Sequence, residues 1–158
     1  MLFRSIPCVR HLWSAEHHHL GRAKAACRLL DRLRRLVLEL KLGGGDRILV
    51  QAHGHAGQVL ALASNLLSIA ASSGRKGLLE TLRAYLEGPG AAAEVLAALA
   101  AVEPHFQAGT LLNGVALDVV TFGTPVRYGW DPSSLGKLLH IVKDRKSTRL
   151  NSSHSSVS

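Results

Sequence analysis

The sequence predicts an α/β fold, a parallel β-sheet covered by helices, on three observations. Apolar residues recur at three- and four-residue steps over long stretches, which is the period of amphipathic helices. Three short runs between or after those stretches are mostly apolar and carry β-branched residues, as strands do, and the first has the pattern of a strand buried on both faces. A long helical region separates the first run from the second, the order expected of strands that pair in parallel through a helical crossover.

The elements follow in order. Over residues 20–42, Ala23, Ala26, Cys27, Leu30, Leu33, Val37 and Leu40 mark one face of a helix, and Arg22, Lys24, Arg28, Arg32, Arg34 and Arg35 lie among the other positions. Gly43-Gly44-Gly45 is expected to end it, as glycine does at helix C-termini. Arg47-Ile48-Leu49-Val50-Gln51-Ala52 reads as the first strand and His53-Gly54-His55-Ala56-Gly57 as a tight turn. Helices are expected over 58–72, 78–86 and 91–102, the last stopped near Pro104. Leu117-Asp118-Val119-Val120-Thr121-Phe122 forms the second strand, ended by Gly123-Thr124-Pro125. Leu138-Leu139-His140-Ile141-Val142 forms the third. The first two strands are expected side by side and parallel.

Composition narrows the classes. The 158 residues suit one domain, and 47% hydrophobic with 19% charged content is ordinary for a globular chain. No apolar run reaches the roughly 18–20 residues that span a bilayer, so no membrane span is expected. Cys8 and Cys27 give neither zinc nor redox spacing, and a cytoplasmic setting is the expectation. The net charge of +8 invites a nucleic-acid partner, yet no aromatics interleave with the basic helix to stack bases, so none is expected. The ends account for part of that charge. Residues 1–5 and 144–158 resemble translated sequencing-adapter sequence. Arg4, Arg145, Lys146 and Arg149 against Asp144 supply +3, leaving +5 for a domain over 6–143.

Three motifs carry chemistry. The turn Ala52-His53-Gly54-His55-Ala56-Gly57 leads into Gln58-Val59. Upstream stand Trp13, Ser14, His19 and Arg22, and downstream Thr121-Phe122-Gly123-Thr124-Pro125 extends into Arg127-Tyr128-Gly129-Trp130-Asp131. In order and spacing these resemble the α/β-hydrolase superfamily, of lipase and esterase type. There a G-x-S-x-G elbow holds the nucleophilic serine between a strand and a helix. The turn is similar to a GHSHAG elbow with glycine in place of serine. The upstream residues resemble a W-S-G-x-N-x-H-x-x-R pattern from which Ala15 and His17 depart.

The resemblance implies an interior piece of one such domain, whose parent hydrolyses a small ester-like substrate without a cofactor. Gly54 then occupies the nucleophile position, and the backbone N–H of His55 faces the oxyanion. Trp13, Ser14 and His53 are implied at the substrate mouth, and Asp131 is the candidate acid, against its reading as an Asp-Pro turn residue. His140 reads as a packing residue, and the catalytic histidine is expected beyond residue 143. Gly54 cannot attack a carbonyl, so the chain itself is expected to be inactive. Two rival readings stand beside this one. One is a non-catalytic binding or scaffold member of the fold; the other is a phosphate- or nucleotide-binding doubly wound domain with its anion at the helix start. His17, His18, His19, His53 and His55 are expected as loop and turn residues, with no metal site.

Overall fold

The structure is a computed structural model that describes residues 6–16, 18–68, 80, 82–84, 87–88 and 93–142. The adapter-like ends, His17, the loop over 72–77 and most of the helix expected over 78–86 lie outside the described residues. The rest is an α/β fold. Helix α1 (His19–Glu39) is followed by strand β1 (Arg47–His53), helix α2 (Ala56–Ser68), helix α3 (Ala93–Ala108), strand β2 (Ala116–Phe122) and strand β3 (Lys137–Ile141).

The three strands form one sheet in the order β1-β2-β3, and both pairings are parallel. Ile48 sits opposite Leu117, Val50 opposite Val119, and Ala52 opposite Thr121, with Leu138 and His140 continuing the same rows. That register sends one set of side chains toward the helices. α1 packs on α2 and α3, and α2 packs on β1. Leu30 and Cys27 of α1, Val102 and Phe106 of α3, and Leu117 and Val119 of β2 meet in one core and are at most 3% exposed.

The expectation that β1 is buried on both faces needs correction. Its residues alternate, and Leu49 is 56% exposed. The three helices described all serve a single core, and the side chains of odd-numbered residues in β1 and β3 are exposed. A continuous apolar run reports that both faces are apolar. It does not report that both are covered.

α1 begins earlier and ends earlier than its period suggests. His18 caps it, its Nδ1 accepting from the Gly21 N–H at 3.0 Å. At the other end Leu42 N–H donates to the Val37 carbonyl (2.9 Å) and Lys41 N–H to that of Leu38 (3.2 Å). This is the Schellman arrangement, and its left-handed position is Lys41 (φ 52°) rather than a glycine. Gly43-Gly44-Gly45 belongs to the following turn.

Pro104 does not stop α3, which runs on to Ala108. An interior proline costs about 3 kcal/mol. Here Val102 and Phe106, on either side of it, are both buried in the core and hold the helix on course. Residues 123–136 connect β2 to β3 without an α-helix, and they include a 3-10 turn at Pro132–Ser134.

Candidate elbow at the carboxyl edge of the sheet

Ligands of open parallel sheets bind outside the carboxyl ends of the strands, and there the chain repeats one device. β1 ends at His53 and β2 at Phe122. The next residues, Gly54 and Gly123, have φ of 56° and 59°. Gly54 N–H donates to the Phe122 carbonyl and Gly123 N–H to the Ile141 carbonyl, both at 2.8 Å. Each glycine is thereby tied to the last residue of the neighbouring strand while the chain turns out of the sheet. Only glycine takes this left-handed backbone without cost.

After Gly54 the chain enters α2 at once. Gly57 N–H donates to the Gly54 carbonyl (3.2 Å) and Gln58 N–H to that of His55 (3.0 Å). Gly54 is the apex of this strand–turn–helix corner, and a Cβ built there meets nothing within 4 Å. A side chain at 54 would project into open space, at a backbone strain of about 1–3 kcal/mol. Gly57 is the opposite case. A Cβ there would lie 2.1 Å from Thr124 Oγ1 and 2.6 Å from Thr124 Cγ2, so α2 lies against the loop after β2 only because residue 57 has no side chain.

The segment after β2 runs from this corner along α2 and reaches α1, which links the three sequence motifs in space. The buried Gln58 donates from Nε2 to the Pro125 carbonyl (3.3 Å), joining the elbow helix to the segment after β2. Asn65 donates to the Gly129 carbonyl at 2.8 Å. The Tyr128 hydroxyl lies 2.6 Å from His19 Nδ1 and accepts from Arg22 Nη1 at 3.5 Å, so the upstream and downstream motifs share one contact. Arg22, which the sequence leaves open as a solvated helix residue, is 1% exposed. Tyr128 belongs to the downstream motif, but the sequence does not signal its contact with α1. It is one of only two tyrosines, but it stands more than a hundred residues from the histidine it touches.

The candidate site residues do not all gather here. His53 ends β1 and is exposed, on the side of the sheet away from the helices. His55 begins the turn into α2. Trp13 and Ser14 line a cleft of about 210 Å³ with Gly21 and Ala25 of α1 and Val95 of α3, and no elbow residue takes part in it.

Asp131 caps the 3-10 turn, accepting from the Ser133 N–H at 3.0 Å, while its own N–H donates to Ser64 Oγ at 3.3 Å. Ser64 stands eight residues beyond the start of α2, about 12 Å along the helix, so Asp131 lies far from Gly54. Hydrogen bonds from Ser133, then Ser68, hold its carboxyl below the usual range. This is the chemistry of a turn residue. His140, read from sequence as a packing residue, is exposed on the helix side of the edge strand. Its Nδ1 is 2.6 Å from Thr121 Oγ1, and its ring meets Trp130 edge-on at 4.9 Å.

Among the described residues no group of three His, Cys, Asp or Glu side chains is placed to hold a metal ion. Burial pushes the Cys27 thiol up to about 12, so it stays protonated and unreactive at neutral pH. No helix among the described residues is long and apolar enough to cross a membrane. No family model, curated protein or solved structure matches the chain.

Proposed function

We infer that the chain is part of an α/β-hydrolase-like protein of the esterase or lipase type, in which Gly54 holds the place of the nucleophile and this chain is itself non-catalytic. One observation carries the reading. Gly54 stands at the apex of a strand–turn–helix corner at the carboxyl edge of a parallel sheet, with positive φ and open space beyond its Cα. A serine there would project where elbow nucleophiles project, beside the N–H of the residue that follows.

The chemistry that remains is binding. No carboxylate among the described candidates is near position 54, since Asp131 is engaged at the far part of α2. A small ester-like molecule is the substrate class of the parent reaction, and a cytoplasmic setting goes with free Cys8 and Cys27.

The test compares Gly54 with Gly54→Ser in a longer form of the protein that supplies a downstream histidine, using turnover of a short-chain nitrophenyl ester. The serine form is expected to turn the ester over and the glycine form is not. Equal turnover in both would remove position 54 from the chemistry, and no gain in the serine form would favour the binding reading for the lineage as a whole.

A further inference from the structure

Away from the elbow, the segment before α1 lies along the basic side of that helix. Arg28, Arg32 and Arg35 fall four and three residues apart and share one face. Arg10 and His11 join them from the preceding segment, and together with Leu12 and the Asp31 carboxylate these residues line an open cleft of about 250 Å³. A second cleft of about 210 Å³ adjoins it, sharing His11, Leu12 and Arg28 and running on to Trp13 and Val95.

The charges are unevenly answered. The buried carboxylate of Asp31 takes both Arg34 and Arg35, and Glu39 takes Arg32 at 3.2 and 3.3 Å. Arg10 and Arg28 have no carboxylate partner among the described residues. The cleft is thus lined by four guanidiniums and the Asp31 carboxylate, with Glu16 and Lys24 in the adjoining one, and the two unanswered arginines both line it. His11 adds a neutral polar group. Burial, and after it the positive charges of Arg28 and Arg32, lower its pKa, and its Nε2 is buried without a hydrogen-bond partner among the described residues.

We propose that the arginine cleft binds the phosphate group of a small organic phosphate, whose organic part lies in the adjoining cleft beside Trp13. Guanidinium forks match the oxygens of a phosphate in paired hydrogen bonds, and a dianion answers both free arginines at once. The cleft is small for a ligand site, which suits a single phosphate and a compact organic group. This site is separate from the start of α2 and does not depend on the elbow reading.

Calorimetric titration of the full chain with inorganic phosphate, phenyl phosphate and a short DNA duplex tests it, at about 0.15 M salt so that unstructured charge attraction is screened. Both phosphates are expected to bind, phenyl phosphate more tightly. Arg10→Gln and Arg28→Gln should each weaken them by about tenfold or more, the worth of a lost charge-assisted hydrogen bond. Arg127→Gln, an exposed arginine in the loop after β2, should leave binding unchanged. Thermal melts of the variants verify that each is folded. Failure of both phosphates to bind, or binding indifferent to Arg10 and Arg28, would overturn the site. Equal affinity for the two phosphates would overturn the placement beside Trp13, and binding of the duplex alone would replace the small ligand with nucleic acid.

Discussion

On the helix side of the sheet Leu117 and Val119 are 3% and 2% exposed, whereas on the other side Leu49 and Leu139 keep 56% and 53% of their surface. The two sides are made of similar residues. Ile48, Val50 and Leu138 point one way, and Leu49, Val120 and Ile141 the other. What separates them is the three described helices, all serving one core. The bare side also carries charge: Arg47 on β1 forks onto Asp118 on β2, Nε to Oδ2 at 2.8 Å and Nη2 to Oδ1 at 2.6 Å. The lesson is that stability in this fold follows coverage and not hydrophobicity.

The sharpest break of that comparison is a pair of truncations. Leu117→Ala should cost about 2–5 kcal/mol, the range for a leucine deleted from a packed core. Leu139→Ala should cost under about 1 kcal/mol, as at other open positions. Urea midpoints of the two variants measure the difference, and similar losses would mean that the bare face is covered in solution.

A smaller effect is expected where α2 meets the loop after β2. Gly57→Val forces a side chain into Thr124 and should cost about 1–3 kcal/mol by overpacking. Removing the obstacle with Thr124→Gly should restore part of that loss. A double-mutant cycle reads the coupling, and additive losses would show that the two residues do not share the space.

The smallest effect concerns the ion pair on the bare face. The hydrogen bond from Arg47 holds the Asp118 carboxyl below its ordinary value, which is about 3.9. A carboxyl depressed in the folded state contributes stability that is present above that ordinary value. The contribution is lost as the pH falls below it, through the lower folded value. Asp118→Asn should therefore lower stability slightly at neutral pH and flatten the acid limb by the same amount, the two curves converging in strong acid. An unchanged acid limb would show that the pair is broken in solution.

Much of the layout was legible in the sequence because it rests on local signals. The period of α1, the three apolar runs and the glycine turns placed the elements, the parallel pairing of β1 with β2 and the turn at Gly54. What escaped depends on contacts between distant residues. Lys41 takes the left-handed cap that glycine usually fills because Leu42 and Val37 close the helix end around it. Pro104 stays helical because buried neighbours outweigh its cost. Arg22 is buried and meets Tyr128, and Arg10 shares a cleft with Arg28 only because the leading segment lies on α1. For the candidate site, the apex was legible and its surroundings were not: Asp131, Trp13 and Ser14 each belong to other neighbourhoods.

The missing side chain of Gly57 also bears on how this corner can change over generations. Its space is occupied by Thr124, so neither position drifts alone. A lineage that acquires a larger residue at 57 must first, or at once, acquire a smaller one at 124, and the intermediate that enlarges 57 alone is disfavoured. Among descendants of this chain the two positions are expected to vary together, as contacting pairs do, and their joint history would trace the corner more faithfully than the apex glycine, which has no neighbour to negotiate with.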